Sequence, residues 1–198
     1  MKKEEKVLLL AMVLGDGHIR PEVAELSITH GEAQKQYLEY KAELVSRAIS
    51  KPITITSRES KIGDKAFTGY RFSCTHRFFR VLRKRCYYDN RDAKFDLSQL
   101  NKLSPQALAI WYMDDGSLYA KKRNGKIHAY ELTISCCATR EQDSQNIVNF
   151  FKEKYGIAFS IKRNKGLFSV RCGTREAAKF LEIVKPFIIP SMAYKASM

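Results

Sequence analysis

Two aspartates, Asp16 and Asp115, stand half a chain length apart, each at the end of an apolar run of helix length and each followed by a glycine. The runs read VLLLAMVLGDGHI over 7–19 and ALAIWYMDDGSLY over 107–119. A carboxylate at the C-terminal end of a helix is opposed by the helix dipole, and a bound divalent cation would balance that charge. If the two apolar helices pack together, the carboxylates meet at one end of the pair; Ala11, Gly15 and Ala109 are small enough to allow close approach. Converging carboxylates suit Mg²⁺, which takes hard oxygen ligands and completes its shell with waters and phosphate oxygens. Such ions activate water and stabilise charge at a phosphorus centre, so the chemistry to expect is phosphodiester cleavage. A single Asp-Gly step is an ordinary turn signal; two copies after similar helices are not. Gly17 and Gly116 are expected to end the helices at positive φ, and Asp114 could cap, pair or lie outside the metal shell.

A cation near the scissile phosphate also favours this chemistry. Lys195 follows Asp115 by almost the interval at which Lys94 follows Asp16, which places the two lysines similarly in the two halves. Arg91 competes with Lys94 for that role. His18 adjoins the first site and is either a proton carrier or a phosphate contact.

These residues need a scaffold, and the chain supplies it twice. After Gly17, residues 24–30 alternate, with Ala24, Leu26, Ile28 and His30 on one face and Glu25, Ser27 and Thr29 on the other. Residues 33–49 carry Tyr37, Tyr40, Leu44, Val45 and Ala48 at helical spacing, closed by Ser50 to Pro52. Strand-like 53–60 and 67–74 flank a loop with Lys61, Gly63 and Lys65, and 76–87 reads as a basic helix. The second half repeats the order. SLYAKK and HAYELTISC flank a turn at Arg123, Asn124 and Gly125; a helix over about 140–154 is opened by Thr139 or a neighbour. IAFSIKR and GLFSVRC flank the favourable hairpin turn Asn164-Lys165-Gly166, and a last helix covers 174–184. Residues 1–87 and 104–198 form the halves and 88–103 connect them, with Ser104-Pro105 a good helix start.

Half-buried antiparallel strands turn a polar set outward. The outward sets are Glu25, Ser27 and Thr29; Thr54, Thr56 and Arg58; Arg71 and Ser73; Glu131, Thr133 and Ser135; and Ser169 and Arg171. His128, Tyr130, Leu132, Ile134 and Cys136 face inward. The outward mixture suits the reading of base edges in a DNA major groove. Arg20, Lys61, Lys65, Lys121, Lys122, Arg123, Lys126, Lys162, Arg163 and Lys165, at strand ends and hairpin tips, would grip phosphates and fix register. RNA is disfavoured because its deep major groove resists such reading. The five basic residues of 76–87 are either a second phosphate patch or the solvent face of a helix whose apolar side is Phe78, Phe79, Leu82 and Cys86.

Composition agrees. Lys plus Arg is 35 against 21 Asp plus Glu, a net charge of +14 on 198 residues, which favours a polyanionic partner. With 44% hydrophobic residues a packed core is within reach, and no apolar run is long enough for a membrane span. Five cysteines without a CxxC argue against a disulfide framework or a zinc site and fit a reducing, intracellular setting, whether bacterial or archaeal cytoplasm or an organelle. No signal peptide is read at the start of the chain.

The segments LLAMVLGDG (9–17) and LAIWYMDDG (108–116), together with the tail VKPFIIPSMAYK (184–195), resemble the LAGLIDADG homing endonucleases of the single-chain, two-motif kind, in the branch typified by the yeast mitochondrial intron endonuclease. The resemblance spans nearly the whole chain. It implies an α+β fold of two pseudo-symmetric αββαββα halves, whose antiparallel sheets form a DNA-binding saddle with the two signature helices at the central interface. It also implies a monomer that makes a staggered double-strand break across the minor groove in a target of about 20 base pairs, close to two turns of B-DNA, leaving 3′-hydroxyl and 5′-phosphate ends. By the same resemblance Asp16 and Asp115 bind Mg²⁺, for which Mn²⁺ substitutes, and Lys195 and Lys94 are the basic active-site residues. Leu14 and Ala11 depart from the common motif in ways this branch tolerates. Rival expectations are an intron-splicing cofactor that binds intron RNA, a non-cleaving DNA-binding regulator of the same fold, and a basic structural protein of nucleic-acid assemblies.

Overall fold

A computed structural model describes residues 1–20, 22–62, 65–89 and 92–198. Helix α1 (Lys3–Leu14) leads to the hairpin β1 (His18–Arg20) and β2 (Glu25–Gly31), then α2 (Lys35–Ile49), strands β3 (Thr56–Ile62) and β4 (Lys65–Thr75), and α3 (Arg77–Cys86). A short helix, α4 (Leu97–Leu100), lies in the connector. The second half follows as α5 (Pro105–Asp115), β5 (Gly116–Arg123), β6 (Lys126–Ala138), α6 (Glu141–Tyr155), β7 (Ser160–Asn164), β8 (Leu167–Gly173) and α7 (Thr174–Val184). Two 3-10 segments, opened by Pro186 and Pro190, complete the tail.

Each half holds one four-stranded antiparallel sheet, in order β1-β2-β4-β3 and β5-β6-β8-β7. The repeat is therefore structural: an α+β chain of two like halves. The cause is the strand pattern. Leu26, Ile28 and Phe72 in one sheet, and Leu132, Ile134 and Val170 in the other, are buried against helices, while the alternate residues turn away.

Helices α1 and α5 pack against each other between the halves. Val7 and every residue from Leu9 to Leu14 are buried, as is every residue from Ala107 to Met113. A helix apolar all round must be covered all round, so these two can only be the centre. Trp111 stacks between Phe95 and Phe151 at ring distances of 5.7 and 6.4 Å, which turns it into the second half's core and leaves the small side of α5 to α1.

Several details differ from the sequence expectation. Gly17 and Gly116 do not adopt positive φ. They are needed for space instead: a Cβ at Gly17 would lie 2.5 Å from the Met12 carbonyl oxygen, and one at Gly116 2.0 Å from the Tyr112 ring. Thr139 does not cap α6; its hydroxyl donates to Asp92 at 2.9 Å, and Arg140 takes the cap position. Thr54 precedes β3 rather than lying in it, and His128 is exposed near a hairpin tip instead of inward. The turns at Asn124-Gly125 and Lys165-Gly166 do form with positive φ at both residues, the geometry that two-residue hairpins favour. The loop at Gly63 lies outside the described residues.

Candidate active site and nucleic-acid interface

Both signature helices deliver their last aspartates to one cleft. Asp16 and Asp115 line it together with Gly15, His18, Tyr87, Asp92, Ser135, Cys136 and Thr139, around a volume of about 450 Å³. A shift of register in β6 between Ile134 and Ala138 accompanies the presence of Ser135 and Cys136 at this wall. Asp115 accepts from the Trp111 indole N–H at 3.2 Å, one helical turn back. Asp16 is more open, with its side chain 39% exposed.

The third carboxylate, Asp114, has a different task. Its side chain is fully buried and takes the backbone N–H of Asp16 at 3.1 Å, which ties the end of α1 to α5. Gly15 makes room, since a Cβ there would lie 2.3 Å from Asp114 Oδ2. The other oxygen, Oδ1, accepts from Lys41 Nζ, a lysine in the middle of α2 with no exposed surface. Lys41 also reaches His30 Nε2 at 3.0 Å and lies 3.9 Å from Asp16 Oδ2. His30 in turn sits 3.0 Å from the Gln34 amide oxygen through Nδ1. With the ammonium donating to Nε2, the imidazole is neutral and its proton is on Nδ1. Burial first, then the Lys41 charge, lowers the His30 pKa to about 4.

The charge balance of the cleft is short of cations. Burial, followed by the neighbouring Asp114, raises Asp16 to about 6 against the pull of Lys41 and Lys195. Burial, then Asp114 and Asp16, raises Asp115 to about 8 despite the Trp111 hydrogen bond. Crowded carboxyls that resist ionising are what a divalent cation relieves. Ligand atoms of Asp16, His30 and Asp114 also lie within 4.8 Å of one another. Lys41 already occupies His30 Nε2, and Asp114 is taken up by Lys41 and the Asp16 amide, so the oxygen donors left for an ion are the carboxylates of Asp16 and Asp115, a set that fits a hard divalent ion.

Lys195 lies at the end of α5 beside this site. Its ammonium donates to the carbonyls of Met113 at 2.5 Å and Asp114 at 3.0 Å, at the C-terminal end of α5, where a cation is favoured. Tyr112 donates to the Lys195 carbonyl at 2.6 Å and holds the tail in place. Lys94 is turned elsewhere: its ammonium stands 5.6 Å from the Tyr88 ring, and its charge acts on Asp96 and Asp143. A tight return, with Lys94 N–H donating to the Cys86 carbonyl and Tyr88 N–H to that of Asp92, points the side chain that way. Arg91 lies outside the described residues. His18 borders the cleft with its ring edge-on to Tyr87.

Lys41 stands out in the sequence only as a charge on an apolar helix face. Tyr37, Lys41, Val45 and Ala48 share one helical face, so a lysine fell in the apolar stripe. Among the described residues the second half has no buried lysine to match it. Ile147 occupies the corresponding place in α6, so the two flanks of the paired helix ends differ in charge.

Several of the polar residues expected to face outward are exposed or half-buried on the sheets, but Ser27, paired between His18 of β1 and Ser73 of β4, is not. Thr29, Thr56, Arg58 and Arg71 line a shallow cavity of about 540 Å³ on the first sheet. Glu25 sits between Arg20 and Arg71 at 3.5 and 3.9 Å. The second sheet repeats the device, with Glu131 between Lys121 and Arg171 at 2.8 and 3.5 Å. Ser73, Lys122, Arg123, Lys126, Ser135, Lys162, Arg163 and Lys165 are exposed or half-buried, as are Thr133 and Ser169. Ser27 is nearly covered at 9% exposure. The side chains of Lys61 and Lys65 lie outside those described. No helix among the described residues is long and apolar enough to cross a membrane.

Comparison with known proteins agrees with this geometry. The chain is 25% identical over 202 residues to a probable intron-encoded endonuclease 1 of Wickerhamomyces canadensis, covering 98% of this chain and 84% of that protein. It is 27% identical over 203 residues to a RecA protein of Mycolicibacterium flavescens, covering 95% of this chain but only 45% of that longer protein. Among solved structures, the homing endonuclease I-WcaI bound to its DNA recognition sequence superposes with a TM-score of 0.81 at 22% identity, over 100% of this chain and 87% of that one. A single-substitution variant of I-DmoI in complex with its target DNA in the presence of Mg superposes at 0.53 with 12% identity, over 92% of this chain and 96% of that one. Residues 7–180 match the model of the LAGLIDADG DNA endonuclease family, and with two signature helices, two four-stranded sheets and a shared carboxylate cleft, this chain belongs to that family.

Proposed function

We propose that the chain is a monomeric, site-specific endonuclease that makes a staggered double-strand break in a long DNA target by divalent-metal-dependent hydrolysis. The observation that carries the reading is the meeting of Asp16 and Asp115 in one cleft with carboxyl pKa values raised to about 6 and about 8. Asp16 and Asp115 hold Mg²⁺, with Mn²⁺ as a substitute. When bound, such an ion lowers the pKa of water and stabilises charge on the phosphate.

The chain's own residues do the positioning. Asp114, neutralised by Lys41, fixes the Asp16 backbone, and the Trp111 indole fixes the Asp115 carboxylate. Lys195 sets a positive charge at the second helix end. Lys41, the first-half lysine in contact with the carboxylates, has no exposed surface and acts by holding Asp114 and balancing Asp16 rather than by touching a phosphate. Arg58, Arg71, Lys121 and Arg171 hold phosphates, while Thr29, Thr56, Thr133 and Ser169 face base edges.

The test is incubation with a randomised plasmid library and Mg²⁺, repeated with EDTA. Linear product sharing one long site supports the reading. Asp16→Asn and Asp115→Asn should bind DNA but nick one strand or fail to cut. Normal double-strand cutting by either variant would defeat the assignment. Binding without any cutting by the parent chain would favour an RNA-splicing or regulatory role on the same fold.

A further inference from the structure

The basic face of α3 takes no part in the site. Arg77, Arg80, Lys84 and Arg85 lie on its outer side, and Arg83 has its guanidinium 4.1 Å from the Tyr87 ring. Phe79, Leu82 and Cys86 fill the opposite, buried side. Among the described residues none of these five cations is in an ion pair, although the helix holds no acidic residue of its own. Arg77 and Arg80 are three apart, and Arg80 and Lys84 four apart, so like charges are neighbours along one stripe and each such pair destabilises the helix. Glu4 and Glu5 begin the adjacent α1, but Glu5 accepts from the backbone of Lys2 rather than from the stripe.

The position of α3 sets the N-terminal part of this stripe apart from the cleft. Its C-terminal end meets the site, where Tyr87 donates to the Gly17 carbonyl at 3.0 Å. Its N-terminal end meets the start of α1, where Lys6, Arg77, Phe78 and Val81 line a groove of about 310 Å³. Lys6, which lines the groove with Arg77, precedes Asp16 by ten residues, so the groove stands on the order of 15 Å along α1 from that carboxylate at about 1.5 Å per residue. Lys51 adds its charge there, since with burial and Arg77 it lowers the His76 pKa. The sheet arginines Arg58 and Arg71 line the cavity on the first sheet, whereas α3 packs against α1.

We propose that this stripe binds the phosphate backbone of a second DNA duplex while the sheets hold the first. Unpaired cations concentrated on one helix face complement a polyphosphate, and arginine, four of the five, forks onto phosphate oxygens. The outer stripe residues other than Val81 are all cationic, and contacts made to phosphate oxygens carry no base information, so the contact is independent of sequence. The chain then bridges two segments, which lets it pass from one stretch of DNA to another without release. The proposal rests on the sheets binding a duplex and not on cleavage.

The test is a bridging measurement in EDTA. A random-sequence duplex of about 25 base pairs, more than two turns, is tethered to a sensor and loaded with protein; a labelled duplex of equal length is then supplied. The parent chain should capture the second duplex. The variant Arg77→Gln/Arg80→Gln/Lys84→Gln should load on the first duplex and lose capture at least tenfold. Its melting temperature should be no lower than that of the parent, because like-charge neighbours have been removed. Arg58→Gln/Arg71→Gln/Arg171→Gln should lose bridging through the other surface. Capture by the stripe variant at the parental level, loading by the parent without capture, or tighter capture of an RNA duplex of the same length would each overturn the proposal. Failure of the parent to load at all would overturn duplex binding by the sheets as well.

Discussion

Lys41 and Asp114 form an ion pair with no exposed side-chain surface that joins the second helix of one half to the signature helix of the other. The pair does not stand alone. Tyr37, one turn before Lys41, donates to the Ile110 carbonyl at 2.9 Å, and Gln106 donates to the Tyr40 hydroxyl at 3.3 Å. Helix α2 is therefore fastened to α5 along its length, and the fastening ends at the cleft where Asp114 takes the Asp16 amide.

Removing one partner of a buried pair strands the other charge, at a cost of about 3–5 kcal/mol. Lys41→Met should lose stability in that range, and Lys41→Met/Asp114→Leu should recover a large part of it. Urea unfolding of the three proteins at neutral pH measures both. A Lys41→Met variant as stable as the parent would show that the pair does not hold the halves together.

The cleft carboxyls make the metal-free protein sensitive to pH. Raised pKa values of about 6 at Asp16 and about 8 at Asp115 mean that the folded state prefers both groups protonated. Their contribution is complete below the ordinary carboxyl range near 3.8 and is lost as pH rises through 6 and then 8. His30 acts in the opposite sense: held at about 4, it contributes fully above its ordinary 6.5 and loses that contribution as pH falls through 4. Asp115→Asn isolates one group. In EDTA it should be more stable than the parent by on the order of 1–3 kcal/mol at about pH 9, and no more stable at about pH 4. Thermal melts across that range decide it, and added Mg²⁺ should narrow the gap at high pH by stabilising only the parent.

The scaffold is legible in the sequence because its determinants are local. Period-two alternation at 24–30, paired turn residues at Asn124-Gly125 and the two Asp-Gly steps each follow from neighbours in the chain. Lys195 is reached through the repeat. Lys41 and His30 are not, although each falls on an inward face, because what a buried polar group touches is set by the far half of the chain. The repeat itself misleads at Lys94. Its interval nearly matches that of Lys195, but the pairing of 86–88 with 92–94 turns the side chain toward Tyr88. The space-making role of Gly17 and Gly116 is hidden for the same reason, since nothing local to either glycine names the atoms that crowd it.

Close approach of the signature helices depends on Gly15. A Cβ there would lie 2.3 Å from Asp114 Oδ2, and Asp114 cannot swing away without leaving Lys41 and the Asp16 amide. Gly15→Ala should destabilise the protein by about 1–3 kcal/mol, the range of overpacked cores. It should also reduce cutting more than DNA binding, because the sheet faces are untouched. Parallel melting and cleavage assays test this; an unchanged melting point would mean that the helix ends are less tightly coupled than their geometry indicates.

On the sheets, Glu25 and Glu131 each restrain two cations, and the hydrogen bond from Lys121 holds the Glu131 pKa below the usual carboxylate range. A glutamate between basic side chains limits indiscriminate phosphate binding and can itself accept from a cytosine amino group. Glu131→Gln removes the charge while keeping the shape, which frees Lys121 and Arg171 for phosphates. Affinity for random duplex should rise, and its salt dependence should steepen by about 0.9 in log–log slope for each further phosphate neutralised. Affinity for the cognate site should rise less or fall, so discrimination shrinks. Competition titrations over a range of salt measure both quantities in one experiment. Equal increases on both DNAs would reduce Glu131 to a surface charge with no part in selecting the target.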